Sequence, residues 1–164
     1  MAFNTLLNLI STLVVVAGGF FAILQLRHFR KQRSRESALH SFQTPEFLSA
    51  VNIVFDLPEG LSKEEIEERL GDKMTCLLVM FGTFESLGIL IYRRDMDIQL
   101  VEDFFSGIII LSGRKLKNYL VEMRNSSNRQ TYYEWFQWLY VQLETRESKT
   151  PPIPSYIAFR NWKE

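Results

Sequence analysis

Glu85 is the side chain with the most chemical promise in this sequence. It is the single charge in the 17-residue apolar run from Cys76 to Tyr92. Burial disfavours an ionised carboxyl and raises its pKa unless a cation pairs with it, and a carboxyl tuned that way can act as a general acid. Such work needs a second acid, a nucleophile or a metal. Phe81 and Gly88 lie one helical turn from Glu85, Phe84 precedes it, and Arg114 and Arg124 downstream are the cations able to pair with it. Glu85 therefore reads as half of a structural ion pair or as a helix-edge residue, and no catalytic residue is assigned.

The other reactive types are no better placed. His28 and His40 stand twelve residues apart without a carboxylate cluster beside them, which is poor metal-ligand spacing. No Glu-x-x-His pair of the kind that builds carboxylate-bridged metal sites occurs. Cys76, the only cysteine, excludes an internal disulfide, suits a reducing compartment, and reads as a small buried hydrophobe. Phosphate-binding glycine loops, paired Cys-x-x-Cys, the zinc-protease helix motif and the serine elbow are all missing. Neither a metal nor another cofactor is expected.

The elements that carry these residues begin with a hydrophobic one. From Leu6 to Leu26 the chain is uncharged, 21 residues or about 31 Å as a helix, which matches a bilayer's hydrocarbon core. A cleavable leader would place basic residues before the apolar run; here they follow it, as Arg27, Arg30, Lys31, Arg33 and Arg35. The run is therefore expected to be an uncleaved transmembrane anchor over residues 1–26, with a short N-terminus outside and the rest cytoplasmic by the positive-inside rule. Residues 27–43 are expected to prolong it as a basic juxtamembrane helix whose five cations contact anionic lipid. Nucleic-acid binding fits poorly, because the cluster hugs the membrane and lacks interleaved aromatics. Gly18 and Ala22, four apart, offer a small face for self-association of the anchor.

Taking those five cations from the chain's 19 leaves 14 against 19 acids, so the remainder carries a net of −5. Residues 44–164, which hold all of that remainder's charges except Glu36, are expected to be a cytoplasmic helical domain. Thr44-Pro45 reads as an N-cap and first helical position, opening a helix with Phe47, Val51, Val54 and Phe55 on one side. Ser62 and Glu65 have capping-box spacing before a short acidic helix that Gly71 ends. The helix bearing Glu85, Lys73 to about Arg94, reads as core, because a central carboxylate and Arg93-Arg94 at its exit both oppose a second span. Asp97 caps a further helix running towards Met123, with Val101, Phe104, Phe105, Ile108, Leu111 and Leu116 as its apolar stripe. After an Asn125–Asn128 loop, a last long helix from Thr131 to about Glu144 is aromatic on several sides. Tyr133, Trp138 and Tyr140 lie off its main apolar face and are the candidate surface for a protein partner. Pro151, Pro152 and Pro154 then form a rigid segment, and Tyr156, Phe159 and Trp162 are expected to fold back onto the domain. No sustained strand alternation is present, so the fold class is all-α: an N-terminal transmembrane helix continuing into a small helical bundle.

Four segments, LQLRHFRKQR (Leu24–Arg33), TPEF (Thr44–Phe47), DLPEG (Asp56–Gly60) and AFRNW (Ala158–Trp162), give the chain a layout that resembles an uncharacterised family of small bacterial single-pass membrane-anchored helical proteins. The resemblance implies topology and bacterial origin, and no activity. The function expected is a non-enzymatic interaction or scaffold module, tethered to the cytoplasmic face of a bacterial inner membrane and binding lipid and an unknown protein. Alternatives are an oligomerising effector that alters permeability and, last, a membrane-bound enzyme using Glu85.

Overall fold

The computed structural model describes residues 17–26, 28, 29, 32, 33, 36 and 40–162. Among these the chain is all-α, with no strand. A first helix, α1, is described over Ala17–Leu26. There follow α2 (Pro45–Asp56), α3 (Lys63–Leu70), α4 (Met74–Tyr92), α5 (Ile98–Lys115), α6 (Lys117–Ser127), α7 (Glu134–Lys149) and the single turn α8 (Ser155–Ala158).

Helix starts that carry their own cap fall where the local chemistry places them. The Thr44 hydroxyl accepts from the Phe47 amide with Pro45 at the first turn. Ser62 and Glu65 close both halves of a capping box, and Asp97 accepts from Gln99 to open α5. Gly71, at φ +47°, turns the chain from α3 through the 3-10 turn Gly71–Lys73 into α4, a conformation that costs glycine little. The expected Ile98–Met123 helix is instead two. It breaks at Leu116, where Lys115 and Asn118 reach across to carbonyls near the end of α2, and α6 sets off to pack on α3. The expected loop at 125–128 is mostly helix, and only Asn128, left-handed at φ +52°, ends α6.

α4 is the centre of the bundle, flanked by α2 and α7, with α5 covering α2 and α7. Its Leu77, Met80, Phe81, Phe84 and Leu87 are fully buried. An aromatic spine runs through the core. Phe42 stacks on Phe105 at 3.8 Å, Phe42 and Phe47 meet edge-on at 4.9 Å, Phe47 reaches Phe84 at 5.6 Å, and Phe84 lies on Phe136 at 5.2 Å. Each such pair adds about 0.5–1.5 kcal/mol beyond its burial, while Phe20, Phe21, Phe29, Phe55, Phe104 and Phe159 remain exposed.

Two apolar stripes differ by one residue from expectation. On α2 Ala50 joins Phe47 and Val54 in the core while Phe55 is exposed; on α5 Ile109, Ile110 and Ser112 are buried and Phe104 faces out. One residue is 100° on a helix, so a neighbouring phenylalanine is easily assigned the wrong face.

One helical run among the described residues is long and apolar enough to cross a membrane, Lys63–Tyr92 through the 3-10 turn, and 44% of its most apolar window is buried inside the domain. It is not the N-terminal segment: there only Ala17–Leu26 is described, too short to qualify on that piece alone. The terminal aromatics do not fold back. Residues 151–162 are exposed throughout, because the Pro151–Pro154 segment leads α8 away from the bundle.

Candidate functional site

The polar groups that looked most like chemistry converge on the start of α7. This helix has no local cap: its N-cap residue is Tyr133, left-handed at φ +51°, which makes no side-chain bond to the helix start. Amides in the first turn of a helix have no intrahelical acceptor. Glu85, projecting from α4, supplies one. Its Oε2 accepts the Phe136 amide at 2.8 Å, and the neighbouring Trp135 amide also favours the charged carboxylate. Burial pushes the Glu85 carboxyl above its usual value, the two amides pull it back, Glu134 raises it further, and Arg124 opposes that.

Arg124, on α6, is only 8% exposed. Its Nε donates to the Tyr132 carbonyl at 2.8 Å, its Nη2 to the Tyr133 carbonyl at 3.2 Å, and its Nη1 to Gln137 Oε1. The guanidinium thus fixes the turn that delivers the chain into α7, and burial lowers its pKa while Glu85 and Glu134 hold it charged. Of the two cations expected near Glu85, Arg124 is the neighbour; Arg114 pairs instead with Glu144, Nε to Oε1 at 2.9 Å, near the surface.

The same device recurs elsewhere. Glu122 of α6 accepts the Lys63 amide at 2.7 Å, capping α3. Lys115 of α5 donates to the Val54 and Phe55 carbonyls at 3.0 and 2.7 Å, closing the end of α2, as a cation does well at a helix C-terminus. Sequence reasoning missed Glu122, Lys115 and Gln137. The sequence carried no signal for them: Thr131 reads as the helix start and a candidate cap, whereas α7 begins only at Glu134, behind a left-handed Tyr133.

The candidate partner residues are each half-buried. Tyr133 stacks on Phe81 at 4.6 Å, and Trp138 meets Tyr92 and Trp135 edge-on at 6.1 Å each. Tyr140 lies over Gly113, where a Cβ would come within 2.3 Å of its ring, and the Glu144 carboxylate is its charged neighbour. Burial, and that carboxylate, push the Tyr140 phenol up to about 12. Of the proposed lipid cations only Arg33 is described, exposed; Arg27, Arg30, Lys31 and Arg35 lie outside the described residues. Gly18 and Ala22 are described and exposed. His28 and His40 are exposed, and Cys76 is half-buried rather than enclosed.

No group of three metal-ligating side chains occurs among the described residues. A cleft of about 260 Å³ between α5, α6 and α7 is lined by Lys117, Arg124, Gln137, Tyr140 and Glu144 among others. Two of its polar groups are engaged with each other, Arg124 with Gln137, and Glu144 pairs with Arg114. What the arrangement does chemically is hold helix ends.

A pH experiment separates this role from catalysis. A carboxyl with a raised folded pKa stabilises the fold most when protonated. Its contribution is complete below the unfolded value near 4.5 and is lost as pH climbs through the raised value. We expect Glu85→Gln, which keeps an oxygen acceptor, to match or exceed the parent's stability at pH 7, with the gap narrowing as the pH is lowered towards 4.5. Glu85→Ala, which leaves the Trp135 and Phe136 amides without it, should cost about 1–3 kcal/mol at either pH. Urea melts of the full chain in detergent at both pH values measure this; equal melts for all three proteins would remove Glu85 from the cap.

The molecule is therefore an all-α domain whose buried polar groups join one helix to the end of another. The chain belongs to the family described as domain of unknown function DUF4760, which matches residues 12–143. That match takes in all of α1 as described and runs to Leu143 in α7, leaving the tail outside. No curated protein and no solved structure matches the chain.

Proposed function

We propose that this protein is a membrane-tethered, non-enzymatic interaction module, anchored by the Leu6–Leu26 segment with its helical domain on the cytoplasmic side of a bacterial inner membrane. One observation carries the reading. α1 is exposed along its whole described length, including Phe20, Phe21, Ile23, Leu24 and Leu26, and nothing in the domain covers it. α4 is just as apolar but already has partners in α2 and α7. An uncharged apolar helix without a protein partner has lipid as its favourable solvent, and the basic residues that follow orient it. Bacterial origin is supported by the family resemblance of the sequence. Glu85 serves α7 and is assigned no reaction.

The test is topological. Alkaline carbonate should leave the full chain in the membrane pellet, and protease should cut the exposed 151–162 tail in inverted inner-membrane vesicles and spare it in right-side-out ones. Release by carbonate, or cleavage in right-side-out vesicles, would sink the assignment. A second reading, an anchor that self-associates as part of an oligomerising effector, is favoured by Gly18, which has nothing within 4 Å of where a Cβ would stand. On that reading Gly18→Leu lowers cross-linked dimer in the same vesicles and relieves overexpression toxicity.

A further inference from the structure

We infer that the tail, residues 150–162, is a second membrane contact, an aromatic and basic segment that lies in the interface of an anionic bilayer. The inference rests on the anchor proposed above and on where the fold brings the two ends of the domain.

The tail has the composition for it. Ile153, Tyr156, Ile157, Phe159 and Trp162 are all exposed, Tyr156 at 79% and Trp162 at 69%. From Thr150 to Lys163 there is no acid, and Arg160 and Lys163 are basic. Tyrosine and tryptophan favour the headgroup region, where one end of the ring is wet and the other apolar, and nearby cations add attraction to anionic lipid. A soluble domain gains nothing by leaving five large apolar side chains in water, whereas a bilayer surface covers them.

Topology supplies the second argument. The chain enters the bundle at Phe42, which stacks on Phe105 of α5. It leaves through the last turn of α7, where Arg146 bonds Glu102 at 2.7 Å and Gln99 at 3.1 Å, both also on α5. From Gln99 to Phe105 is about 9 Å along a helix. Entry and exit therefore sit at one end of the bundle, the end to which the chain from the anchor connects. Lys115 bonds the end of α2 at the opposite end, so α2 runs away from it, parallel to α5. Exposed Leu100 and Phe104 lie at the end of entry and exit as well. The acids there are in part engaged: Asp97 caps α5 and Glu102 pairs with Arg146.

The reach is sufficient. The stretch from Leu26 to Phe42, wound as a helix, spans about 24 Å. From Thr150 to Trp162 the chain covers roughly 30 Å with α8 kept wound, and about 40 Å fully extended. The tail can return to the surface from which the anchor emerges even if the intervening stretch were helical and upright.

Tryptophan fluorescence of the full chain in vesicles containing brominated lipid tests this. Trp162 is one of three tryptophans, and the other two, Trp135 and Trp138, are half-buried in α7. In anionic vesicles we expect about a third of the emission, one residue's share, to be quenched. Trp162→Phe should abolish that quenching, and the double variant Arg160→Glu/Lys163→Glu should weaken it without changing the melting temperature. Flotation of the same samples keeps the two readings apart. A chain that floats with the vesicles but whose Trp162 is not quenched overturns the tail contact and leaves the anchor standing. A chain that does not float overturns both. Emission of Trp162 that shifts blue with rising protein concentration, without lipid quenching, would mean that a second copy covers the tail, and it too overturns the inference.

Discussion

Gly88→Ala should be among the most damaging single-methyl changes in the domain. A Cβ at position 88 would stand 2.5 Å from the Trp135 carbonyl oxygen and 2.9 Å from its carbonyl carbon. Those are backbone atoms of the first turn of α7, held by Glu85 on one side and Arg124 on the other, so they cannot swing aside as a side-chain tip would. Overpacking of this kind costs about 1–3 kcal/mol, sometimes more, against which alanine's better helix propensity returns about 1 kcal/mol. With backbone as the obstacle the clash wins, and we expect a net loss of about 2 kcal/mol, or a fall of roughly 8 °C or more in Tm for a domain of this size. Gly82 makes the internal control. It lies in the same helix with nothing within 4 Å of a Cβ position, so Gly82→Ala should raise Tm slightly. Thermal melts of the two variants read opposite signs for the same chemical change, and equal signs would mean that α4 and α7 do not approach as described.

Arg124→Met should be comparably severe. The substitution keeps much of the apolar stem but leaves the Tyr132 and Tyr133 carbonyls and the Gln137 side chain without their donor, beside the Glu85 carboxylate. An unsatisfied buried group costs about 1–3 kcal/mol; Tyr133 is half-buried while Tyr132 and Gln137 are exposed and can turn to water, so a loss of about 2–3 kcal/mol is expected. Without the cation the Glu85 carboxyl should rise further, so the variant recovers more stability on mild acidification than the parent does. Arg114→Met is the comparison, since the Arg114–Glu144 pair is at the surface and such pairs contribute about 1 kcal/mol or less. Urea titrations followed by tryptophan emission would report both, because Trp135 sits at the affected turn. Equal losses for the two arginines would refute the division between a buried fixing residue and a surface pair.

Much of the local architecture was legible in the chain. Thr44 with Pro45, Ser62 with Glu65, and Asp97 announce helix starts because each cap bonds an amide two or three residues away, a distance that spacing alone encodes. The all-α class and the core role of the Glu85 helix follow from unbroken apolar runs punctuated by Gly and Pro. Membership of an uncharacterised family was likewise readable from short segments and carries no chemistry. Faces were read less well: Phe55 and Phe104 look outward because one residue of helical phase separates core from solvent.

Glu85 is where the two levels meet. The sequence by itself determined that it is the single charge in the apolar run Cys76–Tyr92. Only the tertiary structure decided what it does, because the amide it serves belongs to Phe136, 51 residues away. Lys115 and Glu122 reach their helix ends across 60 and 59 residues in the same way. No local spacing records such a partner. A helix that lacks its own cap draws an acceptor from whichever side chain the packing brings to its end, and packing is a property of the whole chain.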